Sequence, residues 1–171
     1  MQMVKKIFIT LAVIWFALLL WMPKQELYYK LEEELAKNAI KINEKSMDEG
    51  IFSFTVNQAD VYAKGIKLAN VEKVHFFTVL FYTKVTVENL TLDDSLKNIA
   101  PTHTKDATVT YALWNPLYID VEATGSFGGL NGGVNLADKT LRVDFNESKG
   151  IEMLTPKLKQ DEKGWYYETS F

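Results

Sequence analysis

Hydrophobic positions along this chain change period twice. Residues 7–22, IFITLAVIWFALLLWM, are sixteen positions without a charge. Residues 25–38, QELYYKLEEELAKN, place Leu27, Leu31 and Leu35 at helical spacing, with Glu33 and Lys37 in the favoured i, i+4 order. From residue 40 the spacing falls to two and stays there. Phe52, Phe54 and Val56 alternate with Ser53 and Thr55, and Ile119, Val121 and Ala123 alternate with Asp120, Glu122 and Thr124. Strands with one buried face carry this pattern.

Turn signals divide the period-two region. Asp48-Glu49-Gly50, Asn57-Gln58, Asn115-Pro116 and Asp138-Lys139 read as turns. Gly65 reads as a bulge or bend within a strand. Val85 and Val87 share one parity whereas Leu90 and Leu92 have the other, so a slip is expected near Asn89. Residues 92–107 form a break with a short helical turn and a loop, and strands resume at 107–113. Gly125, Gly128, Gly129, Gly132 and Gly133 surround tight turns or a twisted edge. Val143 and Phe145 lie on the strand after Asp138-Lys139. A polar, helix-compatible stretch follows at 148–163, and Trp165, Tyr167, Thr169 and Phe171 end the chain as an alternating strand. Nine or ten strands in hairpin order, without βαβ alternation, predict a mainly β fold: a curved antiparallel meander behind two helices.

The apolar run has the length of a membrane helix, since with its flanks it reaches the roughly twenty residues that cross about 30 Å of hydrocarbon. Ile7, Leu11, Ile14, Trp15, Leu18 and Trp21 are the expected anchor residues. A cleaved signal peptide is the competing assignment, but no small-x-small site follows Trp21, Met22 and Pro23. Lys5 and Lys6 place the N-terminus in the cytoplasm and the bulk outside. The expected division is an anchor at 1–24, a juxtamembrane helix at 25–38 and a periplasmic β domain at 39–171. The short helix is expected to pack on the end of that domain; a partner-binding seam would need more heptads.

Composition narrows the function classes. The absence of cysteine excludes disulfides and thiolate metal sites. Net charge is −3, and the part beyond Lys5 and Lys6 is two charges more negative, which argues against nucleic acid as a partner. The length beyond the anchor suits one domain.

DEGIFSFTVNQADVYAKGIKLANVEKV, FYTKVTVENLTL and NPLYIDVEATGSFGGLNGGVNLADKTLRVDF, following the anchor and LYYKLEEELAK, resemble the small proteins called type II secretion system protein N and, more broadly, AsmA-like proteins. The resemblance covers nearly the whole chain. It implies a single-pass inner-membrane protein whose β-taco-like periplasmic sheet serves an envelope, secretion or motor complex as a non-enzymatic scaffold. In plan the chain also resembles the bitopic subunit of lipopolysaccharide transport, which implies a sheet face that receives acyl chains. Phe52, Phe54, Val85, Val87, Ile119, Val121, Val143 and Phe145 are the residues of that groove, or of an ordinary core, because alternation gives the same pattern for both.

Candidate chemistry is sparse. His75 and His103 lack companions at metal-ligand spacing, and Asp93-Asp94 suits a turn better than a shared proton. No nucleophile elbow or phosphate-cradling glycine loop occurs. Neither enzymatic activity nor a cofactor is expected. Asn146, preceded by Asp144 and followed by Ser148, matches an extended bacterial N-glycosylation pattern, while Asn89-Leu90-Thr91 has only the short sequon. The expected partners are envelope, secretion or motor complex proteins and membrane lipids, with oligomerisation open.

Overall fold

Period-two alternation is realised as one antiparallel sheet of ten strands. A computed structural model describes residues 2–20, 24–79, 81–97, 100–147, 150–152, 154–162 and 164–171, without the side chains at 3, 18–20, 24 and 27. Helices α1 (Gln2–Leu20) and α2 (Lys24–Lys37) precede β1 (Ile40–Glu49), β2 (Ser53–Ala63), β3 (Ile66–Val79), β4 (Tyr82–Leu92) and β5 (His103–Ala112). Then come β6 (Tyr118–Gly125), β7 (Gly128–Asn135), β8 (Thr140–Phe145), β9 (Lys159–Asp161) and β10 (Gly164–Ser170). The order across the sheet is β1-β2-β3-β4-β5-β6-β7-β8-β10-β9, so β1 and β9 are its edges and the sheet is open.

Several sequence expectations are corrected. Asn57-Gln58 is no turn: both residues lie inside β2, and Gln58 has φ 50° while β2 keeps its pairing with β1 and β3 on either side. Gly65 lies outside the strands, in a two-residue hairpin with Lys64, both at positive φ as that turn requires. The glycine cluster holds one turn, Ser126-Phe127, flanked by Gly125 and Gly128, and Gly129, Gly132 and Gly133 lie within the interior strand β7, with no edge. Strand β5 starts at His103, four residues early, because Thr104 and Asp106 pair with β4. The stretch 148–163 holds a short 3-10 turn, Thr155–Lys157, and the edge strand β9 where a helix was expected. Pro156 sits in that 3-10 turn and has no N–H to continue a helix.

On α2 the face turned to the sheet is Tyr28, Glu32 and Leu35. Leu31 is exposed, and the side chain of Leu27 lies outside the described residues. Tyr28 is buried against Phe54, with Val56 and Ala59, in the first of two core clusters. Its hydroxyl donates to Glu44 at 3.3 Å. Lys37 pairs with Glu34 in place of Glu33. The second cluster, around Phe127, Phe145 and Ile151, adds Leu154, Leu158 and Trp165.

Ile7, Leu11, Ile14 and Trp15 on α1 are all exposed, while the side chain of Leu18 and all of Trp21 lie outside the described residues. Among the described residues no helix is long and apolar enough to cross a membrane; the run 7–22 continues through residues beyond them. The helix meets the sheet at its end: Trp15 lies 6.2 Å from Phe81, and Phe16 6.2 Å from Phe52, centroid to centroid.

Accessible surface totals 11774 Å², against about 8,600 Å² for a compact monomer of this mass. An exposed α1 and an incompletely covered sheet explain the excess.

Candidate functional site

The register assembles the apolar positions of separate strands into continuous rows on one face. Phe54, Phe76, Val85, Val109, Val121, Gly132, Val143 and Tyr167 lie opposite one another in succession from β2 to β10. A second row runs Val56, Val74, Val87, Ala107, Ala123, Leu130 and Phe145. Ile119, between Tyr111 and Val134, belongs to a third row on the same face. Seven of the eight groove-or-core residues are thus brought onto one apolar face. The eighth, Phe52, precedes β2 and lies beside Phe16 of α1.

The two clusters cover this face unequally. Tyr28 of α2 covers it over β1 to β3, and Ile151, Leu154 and Leu158 cover it over β8, β10 and the parts of β6 and β7 that carry Ala123 and Leu130. Phe54 and Phe145 are core residues of these two ends. Between them Val85, Val87, Ile119 and Val121 are only half-buried, and Val109 is 38% exposed although β5 has four strands or more on either side. The uncovered zone across β4 to β7 is about 15 Å wide and about 30 Å long on β4 and β5, shorter on β6 and β7, where the second cluster begins. Its side chains are small: Ala107 and Gly132 leave shallow ground between valines, and Ala123 stands at its border with the second cluster. A Cβ on Gly132 would meet the Arg142 carbonyl oxygen at 2.1 Å, so the notch is built into the sheet.

Apart from Glu44, which lies beneath Tyr28 on the edge strand β1, charge is concentrated on the opposite face and at the strand ends. Thr55, His75, Thr86, Thr108, Glu122, Asn131 and Asp144 form the matching polar row. His75 Nδ1 lies 2.8 Å from Thr55 Oγ1, and His103, at the start of β5, has Nδ1 3.4 Å from Thr91 Oγ1. The two histidines stand on different strands with separate threonine partners. Asp93 accepts from the Ser95 backbone N–H at 3.0 Å and caps the 3-10 turn Asp94–Leu96; these bonds hold its carboxyl below the usual range. Among the described residues no group of His, Asp and Glu could hold a metal ion. Arg142 bridges Asp144 and Asp161 and stacks 4.0 Å above the Tyr166 ring, so its guanidinium is held even more firmly charged than usual. Asn146 is exposed just beyond β8, its N–H donating to the Gly129 carbonyl; Asp144 is engaged by Arg142, and Ser148 lies outside the described residues.

What the sequence alone could not supply is the uncovered centre. Its signal is faint but present: Ala107 and Gly132 are small where two packed layers would call for volume. No family model, curated protein or solved structure matches the chain.

Proposed function

We propose that this chain is a non-enzymatic protein held at the outer surface of a bacterial inner membrane by residues 1–24, and that its apolar sheet face carries the acyl part of a lipid or similar amphiphile. The observation that carries this is Val109, exposed in the middle strand of an apolar face whose two ends are covered. A hydrocarbon chain laid along β4 to β7 would remove its own methylenes and these valines from water, at about 0.8 kcal/mol per methylene. The zone presents no charged side chain to hold a headgroup, so recognition would be of the chain and not of the polar part.

In the full-length protein in its native membrane, a photoreactive residue at Val109 or Val121 is expected to form adducts with acyl chains. The same residue at Thr108 or Glu122, on the polar face, should not. Absence of lipid adducts at every apolar-face position would overturn the proposal. Protein adducts at those positions would favour the other reading, a docking component of an envelope, secretion or motor assembly. That second reading is supported by the edge strand β1, ten residues long, and by the type II secretion protein N-like and AsmA-like sequence pattern.

A further inference from the structure

Strand direction alternates, so every second connection lies at the same end of the sheet. Among the described residues, one end gathers 50–52, 81, 113–117, 136–139 and Phe171; the other gathers 64–65, 93–97, 100–102, 126–127 and 146–147. The ends differ sharply in chemistry. Among the described residues, seven of the nine large hydrophobic residues exposed outside the helices stand at the first end: Ile51, Phe81, Leu113, Trp114, Leu117, Leu136 and Phe171. Trp114 is 74% exposed and stacks on Tyr82. At the other end Ile66 is accompanied by exposed Lys64, Asp94, Lys97, Ser126 and Glu147.

The apolar end is also constructed as a unit. Backbone bonds continue the ladder into its loops: Leu113 N–H donates to the Phe81 carbonyl, Leu136 N–H to Leu117, and Phe171 N–H to Lys139. Asn135 ties down the 136–139 loop through Asp138, at 2.7 Å. The ridge therefore holds its apolar side chains outward, with no folded layer over them among the described residues, a pattern of exposed surface that marks an interaction site. The same end is the one α1 reaches, with Trp15 beside Phe81 and Phe16 beside Phe52.

We infer that this rim is a membrane-contact surface: the loop tips rest in the interfacial layer of the bilayer that holds α1, so that the uncovered sheet face opens at the lipid surface. Aromatic and leucine side chains favour that layer, and tryptophan is enriched there. The rim continues α1's apolar surface, which commits it to the same lipid phase. The inference rests on residues 1–24 as an anchor. It adds an orientation: strands upright on the membrane, and the polar end farthest from it.

The absence of cysteine makes the test direct. Single variants of the full-length chain, Trp114→Cys and Leu136→Cys at the rim and Lys64→Cys and Ser126→Cys at the far end, are labelled with an environment-sensitive fluorophore. They are reconstituted in phosphatidylethanolamine–phosphatidylglycerol vesicles containing lipid spin-labelled near the headgroup. The rim labels should shift to shorter wavelength and lose emission to the quencher, while the far-end labels keep theirs. Equal quenching at both ends, or none at the rim, overturns the inference. So does preferential disulfide dimerisation of unlabelled Trp114→Cys, which would assign the rim to a second copy. Rim quenching without acyl adducts at Val109 would sink the lipid-carrying role and leave the rim assignment standing; acyl adducts without rim quenching would do the reverse.

Discussion

Tyr28 and Glu32 show how one turn of α2 is held to the sheet. Burial first, then the Glu44 carboxylate, pushes the Tyr28 phenol well above its usual value, so it stays a neutral donor to Glu44. Burial first, and Glu44 second, also raises the Glu32 carboxyl above the ordinary glutamate range. A raised acid binds its proton more tightly in the folded state. Its contribution is therefore fully present below the unfolded glutamate value and is lost as pH rises through the raised one. Asp60, lowered by hydrogen bonds from Lys67 and Asn70, acts oppositely, and its exposed position keeps the effect small. The thermal midpoint is expected to fall as pH rises through the Glu32 range, and Glu32→Gln should flatten that segment of the profile. An unchanged slope in the variant would show that Glu32 is not the responsible group. None of this was legible from the leucines at 27, 31 and 35. An aromatic ring and a carboxylate share the inner face with Leu35 because Phe54 and Val56 offer Tyr28 a deep site and Glu44 offers its hydroxyl an acceptor.

At the scale of the element, the feature that shapes the sheet is a reversal of side-chain parity. Apolar residues occupy Ile42 and then Met47 on β1, Val56 and then Ala59 on β2, Val71 and then Val74 on β3, and Val87 and then Leu90 on β4. The reversals fall at one level, at Lys45, Gln58, Glu72 and Asn89, and the register of neighbouring strands is unchanged across that level; the β2–β3 register shifts only beyond it, between Val61 and Tyr62. Gln58 and Asn89 take φ 50°, and Asn89 Nδ2 donates to Glu72 at 2.5 Å. Asparagine tolerates that backbone and a β-branched residue does not. Asn89→Gly is expected to be near neutral in urea unfolding, and Asn89→Val to cost about 1–2 kcal/mol. Deleting Asn89 would leave Val85, Val87, Leu90 and Leu92 in one unbroken alternation but set Leu90 and Leu92 one residue out of register with Val71 of β3 and Thr104 of β5. Equal midpoints for the glycine and valine variants would show that the conformation carries no strain. The slip at Asn89 was readable because two valines and two leucines flank it. The matching one at Gln58 was hidden, since Asn-Gln between alternating segments looks like a turn when no neighbouring strand is in view.

For the whole molecule, hairpin order and strand number were readable from alternation and turn residues, whereas coverage of the face was not. Alternation records that a side chain avoids water locally; it does not record what lies above it. If residues 1–24 hold the sheet upright on a bilayer, replacing them with a cleavable signal should release a folded domain that has lost its function. Full complementation by the released domain would show that the segment is only an address. The strand order carries a further consequence, in time instead of space. From β1 to β8 each strand pairs with the one made immediately before it, so the sheet can zip as the chain emerges, without waiting for distant partners. The exception is at the end. The closing strand β10 must pass between β8 and β9, and that late insertion completes the second core cluster around Trp165 and Tyr167.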